Sequence, residues 1–395
     1  MGALEGLRVL EAGTLIAGPF CGQLLADHGA EVIKIEPPPA RRPGGDPMRQ
    51  WGQGKPVWFP VIARNKKTIT LDLSDPRGQA LVRRLVRRAD IMVENFRPGT
   101  LEGWNLGWEV LRAENPGLIL VRVSGYGQSG PYARRAGFGA IGEAMGGLRA
   151  LVGEPDRPPA RVGISIGDSL AATFACLGAL MALHHRHRTG EGQVVDSAIY
   201  EAVLAVMEST VPEYTEAGVV RERSGSILPG NAPSNVYPCR DGEILIGANQ
   251  DGVFRRLCEA MGAPELARDP RYATHAARGA NQAELDARIA AWTAGLAVAE
   301  ALARLEAAGV PAGRLYRVPD MLEDPHFAAR EALVAVPHPE YGSLMMQAVA
   351  PRLSATPGAV RWAGPPLGAH NDEIYRGLLG LSDAELADLR QAGVI

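Results

Sequence analysis

Residues Leu7–Glu36, LRVLEAGTLIAGPFCGQLLADHGAEVIKIE, carry the pattern that decides the fold. Leu7–Glu11 is an apolar run typical of a buried strand, and two glycines after it mark a turn. Pro19–Asp27 places its apolar residues on one face of a helix, and Glu31–Ile35 is a second apolar run. A strand, a helix and a strand in this order predict a parallel βαβ unit.

The same alternation continues through the first half of the chain. Strands are predicted at Lys67–Leu73, Ile91–Val93, Leu118–Val123 and Val194–Asp196, and helices at Asp75–Arg88, Gly107–Glu114, Ser169–Arg186 and Ser197–Ser209. Because strands that alternate with helices pair in parallel beneath those helices, we expect an α/β fold with a parallel sheet.

The composition changes after residue 210. Glu222–Ser234 is polar and contains glycine and proline, which is typical of a linker or mobile loop. A strand at Glu243–Gly247 precedes a helical, Ala- and Arg-rich pattern over Val253–Ala308. The tail is expected to be poor in strands and to end in the helix Asp383–Gln391. We therefore predict a large domain at 1–210 and 330–395, a smaller α+β domain at 225–318, and linkers at 211–224 and 319–329.

The composition is that of a folded protein without nucleic-acid partners. The 395 residues include 47 Gly and 30 Pro, but 46% are hydrophobic and no strict glycine period occurs, which excludes collagen and disorder. Lys and Arg number 41 against 44 Asp and Glu, a formal charge of -3. So balanced a charge predicts no nucleic-acid binding.

Cysteine spacing and hydropathy indicate the compartment. The four cysteines are far apart and form no CxxC pair, as in a reduced chain without a cysteine metal site. The N-terminus has no basic region and carries an early glutamate, so we expect no signal peptide. The longest apolar stretch is Leu170–Leu183, whereas a membrane span needs roughly 18 residues or more. We predict a cytoplasmic protein with no membrane association and no metal site.

Two motifs allow both a dinucleotide-binding and a structural interpretation. Gly125–Gly130, GYGQSG, matches the GxGxxG pattern directly after a predicted strand. Pro131 and further helix breakers replace the long helix that such a loop requires. Glu36 follows the second strand, where a dinucleotide enzyme places a ribose-binding acid, but the preceding glycines lack the required spacing. We favour a solvated strand end for Glu36 and keep an NAD-dependent oxidoreductase as a distant alternative.

Asp168 and three basic segments are the remaining candidates. Asp168 precedes the long apolar helix, where it is either an N-cap or an ionised nucleophile that the helix dipole stabilises. Spacing alone does not choose between these roles. The three basic segments are Arg41–Arg42, Lys66–Lys67 and Arg97. Taken singly, each is interpreted as part of a solvent-exposed face. All lie near predicted strand ends or turns, where a phosphate group would also dock.

Ordered segments along nearly the whole chain resemble the family III CoA-transferases, a group that includes formyl-CoA transferase, carnitine CoA-transferase and the α-methylacyl-CoA racemases. The matching segments include LRVLEAGTLIAGPFCGQLLADHGAEVIKIEPP, NKKTITLDL, ADIMVENFRPGTLEGWNLGWEVLRAENPGLILVRVSGYGQSGPY, VGISIGDSLAA, RTGEGQVVDSAIYEAVL and the closing LGAHNDEIYRGLLGLSDAELADLRQAGVI. The resemblance implies a Rossmann-like large domain that binds CoA and carries catalysis, a smaller domain, and an interlocked homodimer.

The resemblance also assigns roles to individual residues. It implies that Asp168 is the catalytic aspartate. The positions implied to contact CoA are Leu15, Ile16, Ala17, Leu71, Asn95, Phe96 and Phe138. Formyl-CoA transferase has basic residues where Pro37, Ser74 and Gly103 stand here, so we expect Arg41, Arg42 or Arg97 to hold the CoA phosphates instead.

The resemblance implies CoA transfer from an acyl-CoA to a small carboxylic acid. The segments GFGAIGEAMGG and RVGISIGDS resemble family members that use succinyl-CoA as the donor. The intermediates would be a mixed anhydride and an aspartyl-CoA thioester on Asp168, with CoA as substrate and no permanently bound cofactor. A racemase is the alternative, but the related racemases carry a histidine where Phe138 follows Ala136–Gly137. Gly139 replaces a glutamate of formyl-CoA transferase, which argues against formate and oxalate as substrates.

Overall fold

The computed structural model describes residues 2–395. The strands are β1 (Arg8–Glu11), β2 (Glu31–Glu36), β3 (Lys66–Thr70), β4 (Ile91–Glu94), β5 (Ile119–Ser124), β6 (Val194–Ala198), β7 (Ser234–Cys239), β8 (Gly242–Gly247), β9 (Ala312–Arg314), β10 (Leu333–His338) and β11 (Gly342–Gln347). The α-helices are α1 (Ala17–Asp27), α2 (Trp58–Ile62), α3 (Pro76–Val86), α4 (Thr100–Gly103), α5 (Trp108–Glu114), α6 (Gly139–Met145), α7 (Leu148–Leu151), α8 (Ile166–Thr189), α9 (Ile199–Leu204), α10 (Thr210–Ala217), α11 (Asp251–Ala260), α12 (His275–Ala280), α13 (Gln282–Ala294), α14 (Val298–Ala307), α15 (Val318–Glu323), α16 (Pro325–Ala329) and α17 (Asp383–Gln391). Short 3-10 helices cover Pro47–Gln50 and Pro264–Arg268, and a π-helical turn covers Glu373–Leu378.

The chain forms two compact units. The first runs through to Arg149 and also contains Val162–Ala217 and His326–Ile395; the second contains Ala150–Arg161 and Gly218–Pro325.

The first unit is built on a six-stranded parallel sheet in the order β3-β2-β1-β4-β5-β6, which confirms the predicted α/β fold. One face of the sheet packs against α1, α8 and α9 through small and branched residues such as Cys21, Ala175 and Ile199. The other face packs against α3, α5 and α17 through residues such as Leu85 and Leu389. Both faces are covered, which explains why the strands are apolar runs rather than alternating patterns.

Helix α8 is longer than the sequence predicted and has two different faces. Its 24 residues make it long and apolar enough to cross a membrane. One face is in the core, where Ala171, Ala175 and Ala179 are fully buried against the sheet and α1. The predicted helix at Ser197–Ser209 is shorter than expected, because α9 ends at Leu204.

The second unit has an antiparallel three-stranded sheet in the order β7-β8-β9. Helices α11, α13 and α14 contribute Phe254, Ile289 and Leu305 to its core. Arg278 of α12 is fully buried there and donates to the carbonyl groups of Ala232, Tyr272 and Asn249. The Arg278 guanidinium thus supplies hydrogen-bond donors to carbonyl groups that do not pair within a helix or a strand.

The prediction that the tail is poor in strands was wrong. Leu333–His338 and Gly342–Gln347 form an antiparallel hairpin. Only one face of the hairpin is buried, through Val336 and Met346, so its hydrophobic pattern is weak and was obscured by the prolines around it. The final helix begins and ends at the predicted residues, with a capping box between Ser382 and Glu385 at its start.

Candidate active site

The residues expected to bind CoA follow the carboxyl ends of the parallel strands. Strand order reverses between β1 and β4, and this reversal is where open α/β sheets form a ligand crevice. Leu15–Ala17 follow β1, Arg41 follows β2, Leu71 follows β3 and Asn95–Arg97 follow β4. Residues far apart in the sequence are therefore brought to one edge of the sheet.

Asn95 fixes the loop between β1 and α1. Its Oδ1 accepts the Thr14 backbone N–H at 2.8 Å, and its Nδ2 donates to the Thr14 carbonyl at 2.8 Å. Gly13 and Gly18 leave room for this amide, since a Cβ on Gly13 would lie 2.8 Å from Asn95 Oδ1. The Asn95 side chain is thus committed to shaping the loop.

The loop that Asn95 holds contains the three other predicted contacts next to β1. Leu15 has a φ of 63°, in the left-handed region that a branched side chain rarely adopts. Its N–H donates to Asp46 Oδ1 at 3.3 Å. Ile16 is the N-cap of α1 and is partly buried, whereas Ala17 is buried. Hydrogen bonds from Asn95 and Asp46 hold this loop in a backbone conformation that its own residues do not favour.

A buried charge cluster lies beneath that loop, and sequence reasoning missed it. Lys34 Nζ lies 3.0 Å from Glu11 Oε1 and 2.9 Å from Asp46 Oδ2, and it donates to the Gly13 carbonyl. Lys66 Nζ lies 2.6 Å from Glu11 Oε2. All four side chains are essentially unexposed. The carboxylates outweigh burial and raise the pKa of Lys34, while Lys34 lowers the pKa of Asp46.

Two expectations about charged residues were therefore wrong. Glu36 is not a solvated strand end: it is buried and receives two 2.7 Å hydrogen bonds from Arg49. Lys66 is not on a solvated face near a phosphate site, because it is buried on Glu11. Lys67 is paired with Glu31 and Glu373, at the start of β3 rather than at its carboxyl end. The sequence signal for this cluster was a charged residue inside an apolar run, as in VLE and VIKIE. Both faces of such a strand are covered by helices, so a charged side chain within it is buried as well.

The remaining predicted contacts differ in exposure. The Leu71 side chain belongs to the core, and its N–H donates to the Glu36 carbonyl. Arg41 is largely exposed and pairs with Asp72. Phe96 packs edge-to-face on Trp104, with ring centroids 5.1 Å apart. Arg97 donates to the Arg134 carbonyl at 2.9 Å. The side chains of Arg41 and Arg97 thus lie at the surface, and that of Leu71 does not.

A polar cleft of about 680 Å³ lies between the loops that follow β4 and β5. Arg122, Arg134 and Gln128 line it, and Gln128 Nε2 is a buried donor with no hydrogen-bond partner. Arg122 is held by Glu94 at 2.7 Å and by Glu102 at 2.7 Å. Burial raises the pKa of Glu94 to about 7 in spite of that arginine. The cleft is lined by Arg134 and the Gln128 amide, and also by Glu102, which together with Glu94 neutralises Arg122.

The GYGQSG segment is a turn and not a dinucleotide loop. Ser124 Oγ accepts the Gly127 N–H, and Asp196 Oδ2 accepts the Gln128 N–H at 2.8 Å. No helix follows directly, because α6 begins only at Gly139. The long helix that a Rossmann phosphate loop requires directly after its glycines is therefore not found after Gly130.

Asp168 lies in the first turn of α8 and is half-buried. Its carboxylate lies against Gly139, the first residue of α6. Phe138, the residue before Gly139, is 69% exposed. Asp168 therefore lies where the backbone N–H groups at the amino end of a 24-residue helix carry partial positive charge.

Comparison with known proteins identifies the family of this chain. The model of CoA-transferase family III matches residues 4–371. A succinyl-CoA–D-citramalate CoA-transferase from Chloroflexus aurantiacus is 62% identical over 397 residues, covering 99% of this chain and 98% of the relative. A succinyl-CoA:mesaconate CoA-transferase from Haloarcula marismortui is 37% identical over 387 residues, covering 95% of this chain and 96% of the relative. A crystal structure of a CAIB/BAIF family protein from Brucella suis superposes with a TM-score of 0.84 at 35% identity, covering 95% and 99% of the two chains.

The chain therefore belongs to CoA-transferase family III. It is an enzyme that transfers CoA between an acyl-CoA and a carboxylic acid, as the resemblance predicted. The roles of Asp168 and of the individual CoA-contact residues stay predictions.

Proposed function

We propose that this enzyme moves CoA from succinyl-CoA to a short dicarboxylic acid of the citramalate type, with Asp168 as the group carrier. The observation that carries the proposal is the place of Asp168, a half-buried carboxylate at the start of α8. The relative from Chloroflexus, which shares 62% of its residues, supports succinyl-CoA and citramalate as the substrates to test first.

The Asp168 carboxylate attacks the thioester carbon of succinyl-CoA. The C–S bond breaks, which leaves a mixed anhydride on Asp168 and a CoA thiolate. The thiolate then attacks the aspartyl carbonyl, releasing succinate and forming an enzyme-CoA thioester. The acceptor carboxylate attacks that thioester, and the returning thiolate attacks the acceptor carbonyl of the new anhydride. Acceptor-CoA leaves and the Asp168 carboxylate is restored, with no net consumption of water or nucleotide.

The chain's own residues supply binding and charge stabilisation. Backbone N–H groups in the glycine-rich segment, which has 11 glycines between Gly125 and Gly167, are candidates to stabilise the tetrahedral oxyanions. Each such donor contributes on the order of 3 kcal/mol. CoA would lie at the crevice between β1 and β4, and the exposed arginines Arg41, Arg97 and Arg134 would meet its phosphates. The coenzyme enters as a substrate, and no permanently bound cofactor is needed.

We further propose that the enzyme is a cytoplasmic homodimer that is not associated with a membrane. The outer face of α8 supports a homodimer, because Phe174, Leu177 and Met181 recur at helical spacing and are exposed. Met181 is 62% exposed. Soluble monomers rarely expose so continuous an apolar stripe. A second copy of the chain would cover it.

A racemase is less well supported. Inverting an α-carbon requires an acid or base on each of its faces. Asp168 is one such group, but the residue before Gly139 is Phe138, which cannot exchange a proton. An oxidoreductase is not supported either, since GYGQSG is a turn without a following helix.

The test is product analysis with a matched variant. Purified enzyme is incubated with succinyl-CoA and, separately, D-citramalate, L-malate, mesaconate or glutarate, and the CoA esters are measured by mass spectrometry. We expect citramalyl-CoA to form fastest, and Asp168→Ala to abolish every product while its circular dichroism spectrum is unchanged. Transfer that persists in Asp168→Ala would contradict the proposed role of this aspartate.

A further inference from the structure

The turn between β1 and α1 contains a residue whose backbone conformation its own side chain opposes. Leu15 has a φ of 63°, and bulky L residues rarely adopt this left-handed conformation. Its side chain packs, together with that of Ile16, against the buried Met48 and Phe59. Such a conformation persists only where the surrounding structure holds it, and residues of this kind cluster at functional sites. A group outside Leu15 must therefore hold the turn.

Asp46, directly before the 3-10 helix Pro47–Gln50, supplies that contact. Its Oδ1 accepts the Leu15 N–H at 3.3 Å and the Met48 N–H at 3.0 Å. Among the hydrogen bonds of residues 2–395, this carboxylate is the partner of the Leu15 N–H. One side chain thus joins the segment after β2 to the turn after β1.

Asp46 is itself fixed by two residues of β2. Its Oδ2 lies 2.9 Å from Lys34 Nζ, and its backbone N–H donates to Glu36 Oε2 at 3.0 Å. The Asp46 side chain is 1% exposed. Burial alone would raise the pKa of Asp46, but Lys34 and two backbone N–H groups outweigh burial and lower that pKa. The group that accepts the Leu15 N–H is therefore an ionised carboxylate, which is a stronger acceptor than a neutral oxygen.

We propose that Asp46 is a positioning residue for CoA binding: it holds Leu15 in the left-handed conformation and so presents the backbone of Leu15–Ala17 to the coenzyme. The inference rests on the proposed place of CoA at this turn. Because Asp46 is buried, it acts through Leu15 rather than by contact with the coenzyme. Its loss should weaken CoA binding and leave the transfer step almost unchanged.

The substitution Asp46→Ser removes the bond to Leu15 with little change to the 3-10 helix. A serine hydroxyl accepts a nearby backbone N–H at a helix start much as an aspartate does, so the Met48 N–H keeps an acceptor. We expect the Kd for CoA, measured by isothermal titration calorimetry, and the KM for succinyl-CoA to rise about tenfold. The value of kcat should change less than threefold.

A glycine at position 15 tests whether Asp46 acts through the conformation of Leu15. Glycine adopts a positive φ about as readily as a negative one, so a turn with glycine needs less support. Asp46→Ser should therefore raise the Kd for CoA less than threefold in a Leu15→Gly background, against about tenfold in the wild type. The single variant Leu15→Gly is the reference for the double variant, so the loss of the leucine side chain cancels in this comparison.

Asp27, the last residue of α1, is the matched control for the loss of a buried carboxylate. It is 3% exposed and pairs with Arg64 at 2.6 Å. The length of α1 separates Asp27 from the turn by about 15 Å. Asp27→Ser should lower the thermal midpoint at least as far as Asp46→Ser does, and should leave the Kd for CoA within twofold of the wild type.

Hydrogen exchange in the wild-type enzyme gives a measurement that needs no variant. The Leu15 amide of the CoA-free enzyme should exchange at least tenfold more slowly than an unprotected amide, because its N–H is bonded to Asp46. Mass spectrometry with fragmentation to single residues measures this rate. Exchange at the rate of an unprotected amide would overturn the inference, even if Asp46→Ser did not fold.

Three further outcomes would overturn the role of Asp46. These are a Kd for CoA within twofold of the wild type in Asp46→Ser, an equal rise of the Kd in the two Leu15 backgrounds, and an equal loss of CoA binding in Asp27→Ser. If Asn95→Ala weakened CoA binding and Asp46→Ser did not, CoA would lie at the turn and only the role of Asp46 would be lost. The proposed function is judged on the products of the wild type and of Asp168→Ala, so its failure is distinguishable.

Discussion

Asn95 shapes a loop of the candidate site through two side-chain hydrogen bonds. Its amide uses both of its hydrogen-bonding groups on Thr14, and these bonds set the backbone of the loop expected to meet CoA. We propose that Asn95 acts on affinity through the shape of this loop.

We expect Asn95→Ala to raise the KM for acyl-CoA about tenfold or more, because the loop loses both of its bonds to this amide. Losing such bonds costs on the order of 1–3 kcal/mol of stability as well. Asn115 is a matched control, since its Nδ2 donates to the carbonyls of Val86 and Ala89. Asn115→Ala should cost similar stability with an unchanged KM. Equal KM values in the two variants would show that the loop does not depend on Asn95.

The raised pKa of Glu94 predicts how the stability of the fold depends on pH. Its pKa is raised from 4.5 to about 7, chiefly by burial. Between these values the folded protein holds a proton that the unfolded chain releases, so this group's contribution to stability falls as pH rises through that window. The full change is on the order of 3 kcal/mol.

The isosteric variant Glu94→Gln removes this titration and keeps one acceptor oxygen in place of two, for either the Phe96 N–H or Arg122. Its free energy of unfolding should therefore decline less than that of the wild type between pH 5 and pH 7.5. Urea unfolding at the two pH values measures the difference. Parallel pH dependences in the two proteins would rule out a raised pKa for Glu94.

At the scale of elements, the buried cluster connects β1, β2 and β3 to the loop that follows β1. Removing one member of a buried ion pair leaves its partner uncompensated and typically costs 3–5 kcal/mol. Lys34→Met would leave Asp46 without its cation and Glu11 with Lys66 alone, so we expect a loss of about that size in urea unfolding.

Lys67→Met is the comparison for Lys34→Met. Lys67 lies in the same sheet as Lys34 and pairs with Glu31 and Glu373. All three of these side chains are partly exposed. Pairs of this kind contribute roughly 0–1 kcal/mol. If the two variants lost equal stability, burial would not be what makes the cluster important.

At the scale of the whole molecule, the exposed face of α8 predicts the oligomeric state. The double variant Phe174→Glu with Met181→Glu should dissociate a homodimer to monomers, because it places charges in an apolar contact. Leu245→Glu is the control, as Leu245 is an exposed apolar residue of the second unit. Light scattering during size-exclusion chromatography measures the mass. A wild type that elutes as a monomer would contradict the proposal.

The sequence predicted most of the first unit because its strands are buried on both faces and its helices carry ordinary start signals, such as Asp75 before Pro76. It failed where burial is one-sided, as in the hairpin of β10 and β11. It also assigned Glu36 and Lys66 to the surface, because residue type alone favours exposure for a charge. The place of Asp168 beside Gly139 could not be predicted, since it depends on how α6 and α8 meet in space.

The last part of the chain closes the open edge of the sheet. The edge strand β3 bonds to Pro366, His370, Asn371 and Tyr375: Thr68 N–H donates to His370 Nδ1, Thr70 N–H donates to Asn371 Oδ1, and the Tyr375 hydroxyl donates to the Thr70 carbonyl. On the ribosome, β3 is made about 300 residues before these partners, as the sequence positions show. A nascent chain must therefore carry an unpaired strand edge until residues 366–375 have been made. Such an edge is a template for aggregation, and a truncation before Pro366 would leave it open permanently.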